Sequence, residues 1–178
     1  MEKEIDISGA EARIEGMKVR LKGPKGELER DFFVPEMRGM VEIALDGGKI
    51  VVKALSERKK AKAMAGTIAA HIRNMLVGVT KGYRYTMKIH YVHFPLTVEV
   101  KGNMLIAKNF LGERGERRAK IADGVEVKVD GQTLTLTGIS KEAVGQTASN
   151  IERAFGIKNK DRRVFQDGIY LAERMVME

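Results

Sequence analysis

The sequence predicts an α+β fold of two duplicated small domains, each an antiparallel sheet with one helix packed on a face. Three observations carry that expectation. Short runs alternate apolar and polar residues between glycine-containing turns, as in Val41-Glu42-Ile43-Ala44-Leu45 before Asp46-Gly47-Gly48. Two longer runs carry apolar residues three and four apart, the helical period. The two halves also share a plan: Val41–Gly47 matches Val125–Gly131, and Ser56 matches Ser140, both at an offset of 84 residues.

Residues 1–15 are polar and weakly patterned, with Ile5, Ile7 and Ile14 able to pack locally but no definite element. Met17 to Leu21 alternates as a strand, Gly23-Pro24-Lys25-Gly26 is a turn, and Glu27 to Phe33 returns. Val41 to Leu45 and Lys49 to Leu55 form a hairpin across Asp46-Gly47-Gly48, because Asp and Gly tolerate the positive φ of a tight turn. Ser56 is placed to cap a helix. Ala61, Met64, Ala65, Ile68, Ile72, Met75, Leu76 and Val79 define its inner face, and Gly78 and Gly82 mark its end region.

Tyr83 to Val92 is extended, and Phe94-Pro95-Leu96 punctuates it. Thr97 to Lys101, Gly102-Asn103 and Met104 to Phe110 make a hairpin; Val125 to Val129, Asp130-Gly131 and Thr133 to Thr137 make another. Ser140 caps a helix with Val144, Thr147, Ala148, Ile151 and Phe155 on one face. Gly156 is placed to end it in the left-handed conformation. Ile169 to Ala172 is a last apolar strand.

Aligning Lys22-Gly23 with Lys101-Gly102 and Thr67 with Thr147 leaves the first copy four residues longer between cap and helix body, about one helical turn. The boundary falls near Gly82. The expected domains are residues 1–82 and residues 83–178, the second carrying a basic stretch and final strand that the first lacks.

The chain has 178 residues, room for one large domain or two small ones. Its net charge of +8 favours a polyanionic partner, with nucleic acid ahead of acidic protein or membrane. There are no cysteines, which excludes disulfides and thiolate chemistry. No apolar run approaches the roughly 20 residues that span a bilayer. The first residues, Met1-Glu2-Lys3-Glu4-Ile5-Asp6, lack the apolar core of a secretory signal, so a cytoplasmic protein with no membrane partner is expected.

Catalytic and metal-binding patterns find no support. His71, His90 and His93 are the only histidines, and His90 and His93 point to opposite faces of an extended segment. Gly23-Pro24-Lys25-Gly26 lacks the spacing and the Ser or Thr of a phosphate-binding loop. Asp46 and Asp130 are turn residues by the repeat. An enzyme, a small-molecule substrate, a cofactor and a metal are therefore not expected.

Three basic segments remain. Arg58, Lys59, Lys60 and Lys62 fall at the start of the first helix, where they oppose its dipole unless an anion docks. Lys108, Arg114, Arg117, Arg118 and Lys120 surround a glycine-containing loop and are diluted by Glu113 and Glu116. Lys158, Lys160, Arg162 and Arg163 lie within six residues, before Phe165 and a Gln166-Asp167-Gly168 turn. Each reads either as solvated surface or as a phosphate-binding segment. Bulk charge points to residues 1–88, at +6 against +2 for residues 89–178. Clustering points to the last segment, because exposed charges more than about 8 Å apart hardly cooperate at physiological salt.

The run Lys158-Asn159-Lys160-Asp161-Arg162-Arg163-Val164-Phe165-Gln166-Asp167-Gly168-Ile169-Tyr170 resembles the C-terminal signature of family six of the large-subunit ribosomal proteins, in its archaeal and eukaryotic form. The resemblance extends to Lys22-Gly23-Pro24-Lys25-Gly26-Glu27-Leu28, to Gly82-Tyr83-Arg84-Tyr85 with Val92-His93-Phe94-Pro95, and to Asn109-Phe110-Leu111-Gly112-Glu113. Glu113 to Lys120 departs from the pattern. The resemblance implies two similar α/β domains and a structural role in the large ribosomal subunit. It implies binding to large-subunit ribosomal RNA near the sarcin–ricin loop and the stalk base where translation factors dock, beside neighbouring ribosomal proteins. Carried over by position, it implies rRNA contacts at Lys158, Lys160, Arg162, Arg163, Gln166 and Tyr170, with Asn109 and Arg114 behind them. The other reading from the residues is a free-standing RNA-binding or assembly module, which would not co-sediment with large subunits at high salt.

If each half has its own core, residues 1–82 and residues 83–178 expressed separately will each show cooperative thermal melting by circular dichroism. Fragments that fold only when mixed would replace two domains with one shared core.

Overall fold

Alternating side chains make most of the strands, and each strand turns one apolar row toward a helix. The computed structural model describes residues 2–35, 39–92 and 94–177. The chain divides into two units, Met1–Gly82 and Tyr83–Glu178. The first contains β1 (Glu2–Asp6), β2 (Glu11–Glu15), β3 (Lys18–Gly23), β4 (Gly26–Asp31), β5 (Val41–Asp46), β6 (Lys49–Ala54) and α1 (Lys59–Thr80). These strands form two antiparallel sheets, ordered β2-β3-β4 and β1-β6-β5. Val19 and Leu21 of β3 and Ile50 and Val52 of β6 point inward and are buried with Ala61, Ala65, Ile68, Ile72 and Val79 of α1.

The outward rows of this unit are charged and paired across strands. The register sets Arg20 opposite Glu29, and Lys22 between Glu11 and Glu27. Lys18 reaches Glu29 at 2.6 Å, Arg20 bonds both Glu29 and Glu27, and Lys49 reaches Glu4 at 2.8 Å. Such cross-strand pairs add to sheet stability and neutralise one another.

The second unit contains β7 (Tyr83–His90), β8 (Thr97–Lys101), β9 (Met104–Lys108), β10 (Arg117–Lys120), β11 (Val125–Asp130), β12 (Thr133–Gly138), α2 (Lys141–Ala154) and β13 (Gly168–Val176). Its sheets are β8-β9-β10 and β11-β12-β7-β13, again antiparallel. Leu134 and Leu136 of β12 and Tyr85, Met87 and Ile89 of β7 bury one face. Val144, Thr147, Ala148 and Ile151 of α2 are buried, the face its periodicity predicts, and Phe155 follows them inward. The α+β class with two helices and antiparallel sheets is as expected, with the strands of each unit split between two sheets.

Several local expectations need correction. The repeat is better aligned by its three-stranded meanders, β2-β3-β4 against β8-β9-β10. This matches the turn at Gly16 (φ 63°) with that at Gly102 (φ 57°), and moves the Gly23 turn to the connection between β9 and β10. The conserved-looking Lys-Gly pairs are therefore not equivalent. Ser56 does not cap α1: its hydroxyl accepts from the Arg58 backbone N–H at 3.3 Å, which forms a turn before the helix, and Arg58 occupies the cap position without a side-chain bond. Ser140 does cap α2, accepting from Ala143 N–H at 3.2 Å. Gly156 is not among the glycines with positive φ, so α2 ends without a left-handed residue there. Strands β1, β2 and β10 lie where no definite element was expected, because their polar residues mask short apolar rows.

Two glycines of the first unit test this packing. A Cβ on Gly23 would lie 2.5 Å from the Val79 carbonyl oxygen, whereas one on Gly66, within α1, meets open space. Gly23→Ala will lower stability by about 1–3 kcal/mol, and Gly66→Ala will raise it by about 0.5–1 kcal/mol. Thermal melts of the two variants against the parent will show opposite shifts.

Candidate nucleic-acid interface

A helix leaves its last carbonyls without intrahelical partners. In the first unit the turn between β3 and β4 lies against the end of α1, and the Lys25 backbone N–H donates to the Val79 carbonyl at 2.9 Å. The matching junction in the second unit is enlarged on both sides. The connection between β9 and β10 grows to residues 109–116, and residues 155–167 intervene between α2 and β13. Of the basic residues named from the sequence in this half, Arg114 and Lys158 to Arg163 lie in these two enlargements, whereas Lys108 ends β9 and Arg117, Arg118 and Lys120 belong to β10.

Residues 109–112 take a rarely used backbone path. Asn109 (φ 61°), Leu111 (φ 52°) and Gly112 (φ 76°) are all left-handed, a region that L side chains seldom occupy. Asn109 Nδ2 donates to the Pro95 carbonyl at 3.1 Å. A Cβ on Gly112 would sit 3.3 Å from the Phe94 ring, so glycine permits that approach. Phe110 is buried, its ring centroid 5.9 Å from that of Phe155 at the end of α2.

Arg117, the first residue of β10, joins the loop to the helix. Its Nε donates to Glu113 Oε2 at 2.8 Å and its Nη2 to Glu113 Oε1 at 2.5 Å. Its Nη1 donates to the carbonyls of Ala154 and Gly156, both at 3.1 Å. The guanidinium lies 4.2 Å from the Phe110 ring centroid. Arg117 therefore takes helix-end carbonyls that Gly156 was expected to terminate by conformation. Hydrogen bonding to Arg117 holds the Glu113 carboxyl below its ordinary range, and the positive charges of Arg117 and Lys160 add to this.

The second loop is pinned at both ends. Gly156 is held by Arg117, and buried Asp167 accepts the Val92 backbone N–H at 3.3 Å through Oδ1. Between them Asn159 is left-handed (φ 57°), and the Asp161 carbonyl accepts from Val164 and Phe165 N–H. Asp161 Oδ1 takes the Arg163 backbone N–H at 2.9 Å, and its Oδ2 meets Arg163 Nη2 at 2.9 Å. These bonds hold the Asp161 carboxyl low. Lys160 Nζ sits 4.5 Å from the Phe165 ring centroid.

Lys158, Lys160, Arg162, Arg163, Gln166, Tyr170, Asn109 and Arg114 are all exposed. Their circumstances differ. Among the described residues Lys158, Arg162 and Arg114 make no ion pair, whereas Arg163 pairs with Asp161 at 2.9 Å. Gln166 donates to the Arg163 carbonyl, and the Tyr170 hydroxyl donates to the Gln166 carbonyl at 3.2 Å, so both fasten the loop as well as face solvent. Lys108 and Arg118 share Glu116. In the first unit Lys62 pairs with Glu57 at 2.8 Å. Sequence reading counted Arg117 only as one cation of a cluster. Its fork, Glu113 and Phe110 carry no pattern at strand or helix spacing that marks a clamp. Among the described residues no three His, Cys, Asp or Glu side chains could hold a metal ion, and His93 lies outside them.

The family model for ribosomal protein L6 matches residues 8–82 and 94–168. The chain belongs to the ribosomal protein L6 family. Curated relatives agree across nearly its whole length. The large ribosomal subunit protein uL6 of Sulfurisphaera tokodaii is 50% identical over 175 residues, 98% of this chain and 92% of that protein. The large ribosomal subunit protein uL6 of Aeropyrum pernix is 48% identical over 169 residues, 95% and 91% of the two chains. That of Methanothrix thermoacetophila is 46% identical over 171 residues, 96% and 95%. Membership makes the chain a structural ribosomal protein and not an enzyme. Each matched stretch lies within one unit and contains one meander and one helix.

The Glu113 pair has a pH signature. Its carboxyl is lowered, so the pair is fully formed above the ordinary Glu range and is lost as pH falls through the lowered value. The Glu113 carboxyl carbon, followed by NMR, will titrate below the ordinary range of a solvated Glu. In Arg117→Met it will move back toward the ordinary value.

Proposed function

We propose that this chain, as part of the large ribosomal subunit, binds large-subunit ribosomal RNA through the two enlarged loops of its second unit. The relatives that cover it almost end to end are large-subunit proteins, which supports that setting. The contacts proposed are Lys158, Lys160, Arg162 and Arg163 with Gln166 and Tyr170, and Asn109 and Arg114 from the adjoining loop. The sarcin–ricin loop and the stalk base where translation factors dock are the proposed region, neighbouring large-subunit proteins are further partners, and the cytoplasm is the proposed location.

One observation carries this reading. The two enlarged loops meet at the end of α2 through Arg117, which bonds Glu113 of one and Gly156 of the other, and Lys158, Arg162 and Arg114 stand exposed and without ion pairs among the described residues. Arg offers phosphate a planar fork and Lys a point charge. By contrast, the strand cations Lys18, Arg20 and Lys49 of the first unit are paired with carboxylates. These strand cations are thus already matched by carboxylates within their own sheets. Phosphate contacts of this kind position a protein, while the shape of the folded RNA supplies selectivity.

Gel-shift titration against in vitro transcribed large-subunit ribosomal RNA tests the assignment. Replacing Lys158, Lys160, Arg162 and Arg163 together with Gln will weaken binding strongly and leave the melting temperature nearly unchanged, because all four are exposed. For about four phosphate contacts the log–log dependence on salt will have a slope of roughly −3. Unimpaired binding by the Gln variant, or binding flat in salt, would move the site elsewhere.

A further inference from the structure

We propose that Arg117 is the positioning residue that fixes the two enlarged loops as one phosphate-binding surface, an inference that rests on the RNA-binding role given above. Arg117 makes hydrogen bonds that reach both loops and the helix between them. Two donors go to Glu113 in the first loop, one guanidinium nitrogen meets the carbonyl of Ala154 in α2, and the same nitrogen meets the carbonyl of Gly156 where the second loop begins.

Arg117 is not itself a good phosphate ligand. A guanidinium has five N–H donors, and four are committed to protein oxygens in this geometry. Its side chain is 22% exposed, against 90% for Arg163. The Phe110 ring covers part of its plane, and that ring is in turn packed on Phe155. Releasing Arg117 to RNA would leave two helix-end carbonyls and a carboxylate without donors. It acts by preparing its neighbours: a surface already ordered loses less freedom when it binds.

Comparison of the two units supports the same role. In the first, a backbone N–H, that of Lys25, meets the end of α1, and Gly23 brings the turn into contact with Val79. In the second, the connection between β9 and β10 is longer, a further segment follows the helix, and a long side chain makes the contact in place of a backbone N–H. A fork is required because the carboxylate and the carbonyls lie on different edges of the guanidinium. Lysine supplies the charge but only one nitrogen.

Hydrogen–deuterium exchange of the full chain, with gel shifts against in vitro transcribed large-subunit rRNA, tests the proposal. In Arg117→Met, amide exchange will accelerate in both residues 110–116 and residues 157–163, and RNA affinity will fall roughly tenfold. Arg117→Lys will restore neither fully. In the background of the four-Gln variant, Arg117→Met will cause a much smaller further loss of affinity, because most of the cations it positions are already gone. Unchanged exchange at residues 157–163, or an equal loss in the four-Gln background, would overturn the positioning role. Should Arg117→Met fail to fold, Glu113→Gln serves instead: it frees only the first loop, so exchange will rise at residues 110–116 and stay unchanged at residues 157–163. Rapid exchange at both in that variant, or at neither, would also overturn the role. A parent protein that does not bind the RNA, while exchange responds as stated, would refute the RNA-binding role and leave the clamp standing.

Discussion

Every α-helix must find donors for its last carbonyls, and the two units meet that demand in different ways. In the first, a short turn carrying Gly23 presses against α1 and a backbone N–H closes the junction. In the second, α2 ends on the guanidinium of Arg117. The difference decides where this fold can carry a functional surface. A backbone contact tolerates no insertion, because a single Cβ at Gly23 already collides with the helix. A side-chain contact has reach, so the connections on either side of it can lengthen, take cations and stay ordered. The left-handed Asn109 and Leu111 show that this ordering has a cost, offset by the buried Phe110 and the Arg117 bonds around them.

Charge follows the same division. On the outward strand rows of the first unit, cations alternate with carboxylates in register, which suits sheet stability and leaves little net field. A loop has no facing strand to supply a counter-charge. Arg163 finds Asp161 two residues away, but Lys158 and Arg162 have no such neighbour. Cations set on loops therefore remain available to a polyanion where equal numbers on strands do not. Net charge by halves does not register this difference between strand and loop cations.

Much of the fold was legible in the sequence because strong turn chemistry sits between alternating runs. Asp46-Gly47-Gly48 and Asp130-Gly131 mark hairpins, and the buried face of α2 follows from residue spacing alone. The first fifteen residues were not legible, since Glu11-Ala12-Arg13-Ile14-Glu15 shows too few apolar residues to betray β2. The repeat was visible but misaligned at the Lys-Gly pairs, because two short turns look alike and only the order of strands in the sheets separates them. Of the candidate site, the cations could be named from their clustering and from resemblance. Their support could not. Arg117 touches residues 37 and 39 positions away, a relation that no local pattern records.

Strand β7 pairs with β12 on one side and with β13 on the other. It opens the second unit in the sequence, while β13 follows everything else described in that unit. A ribosome making this chain would release all strands of the first unit before the second had begun, so that the first could fold during synthesis. The second must keep the β13 side of β7 vacant while residues 91–167 are made. The basic loop is emitted immediately before β13, and its buried anchor Asp167 adjoins that strand. Newly made protein would thus acquire an ordered cationic loop only when β13 docks. That timing keeps the loop from being fixed in its final form before the sheet beneath it exists.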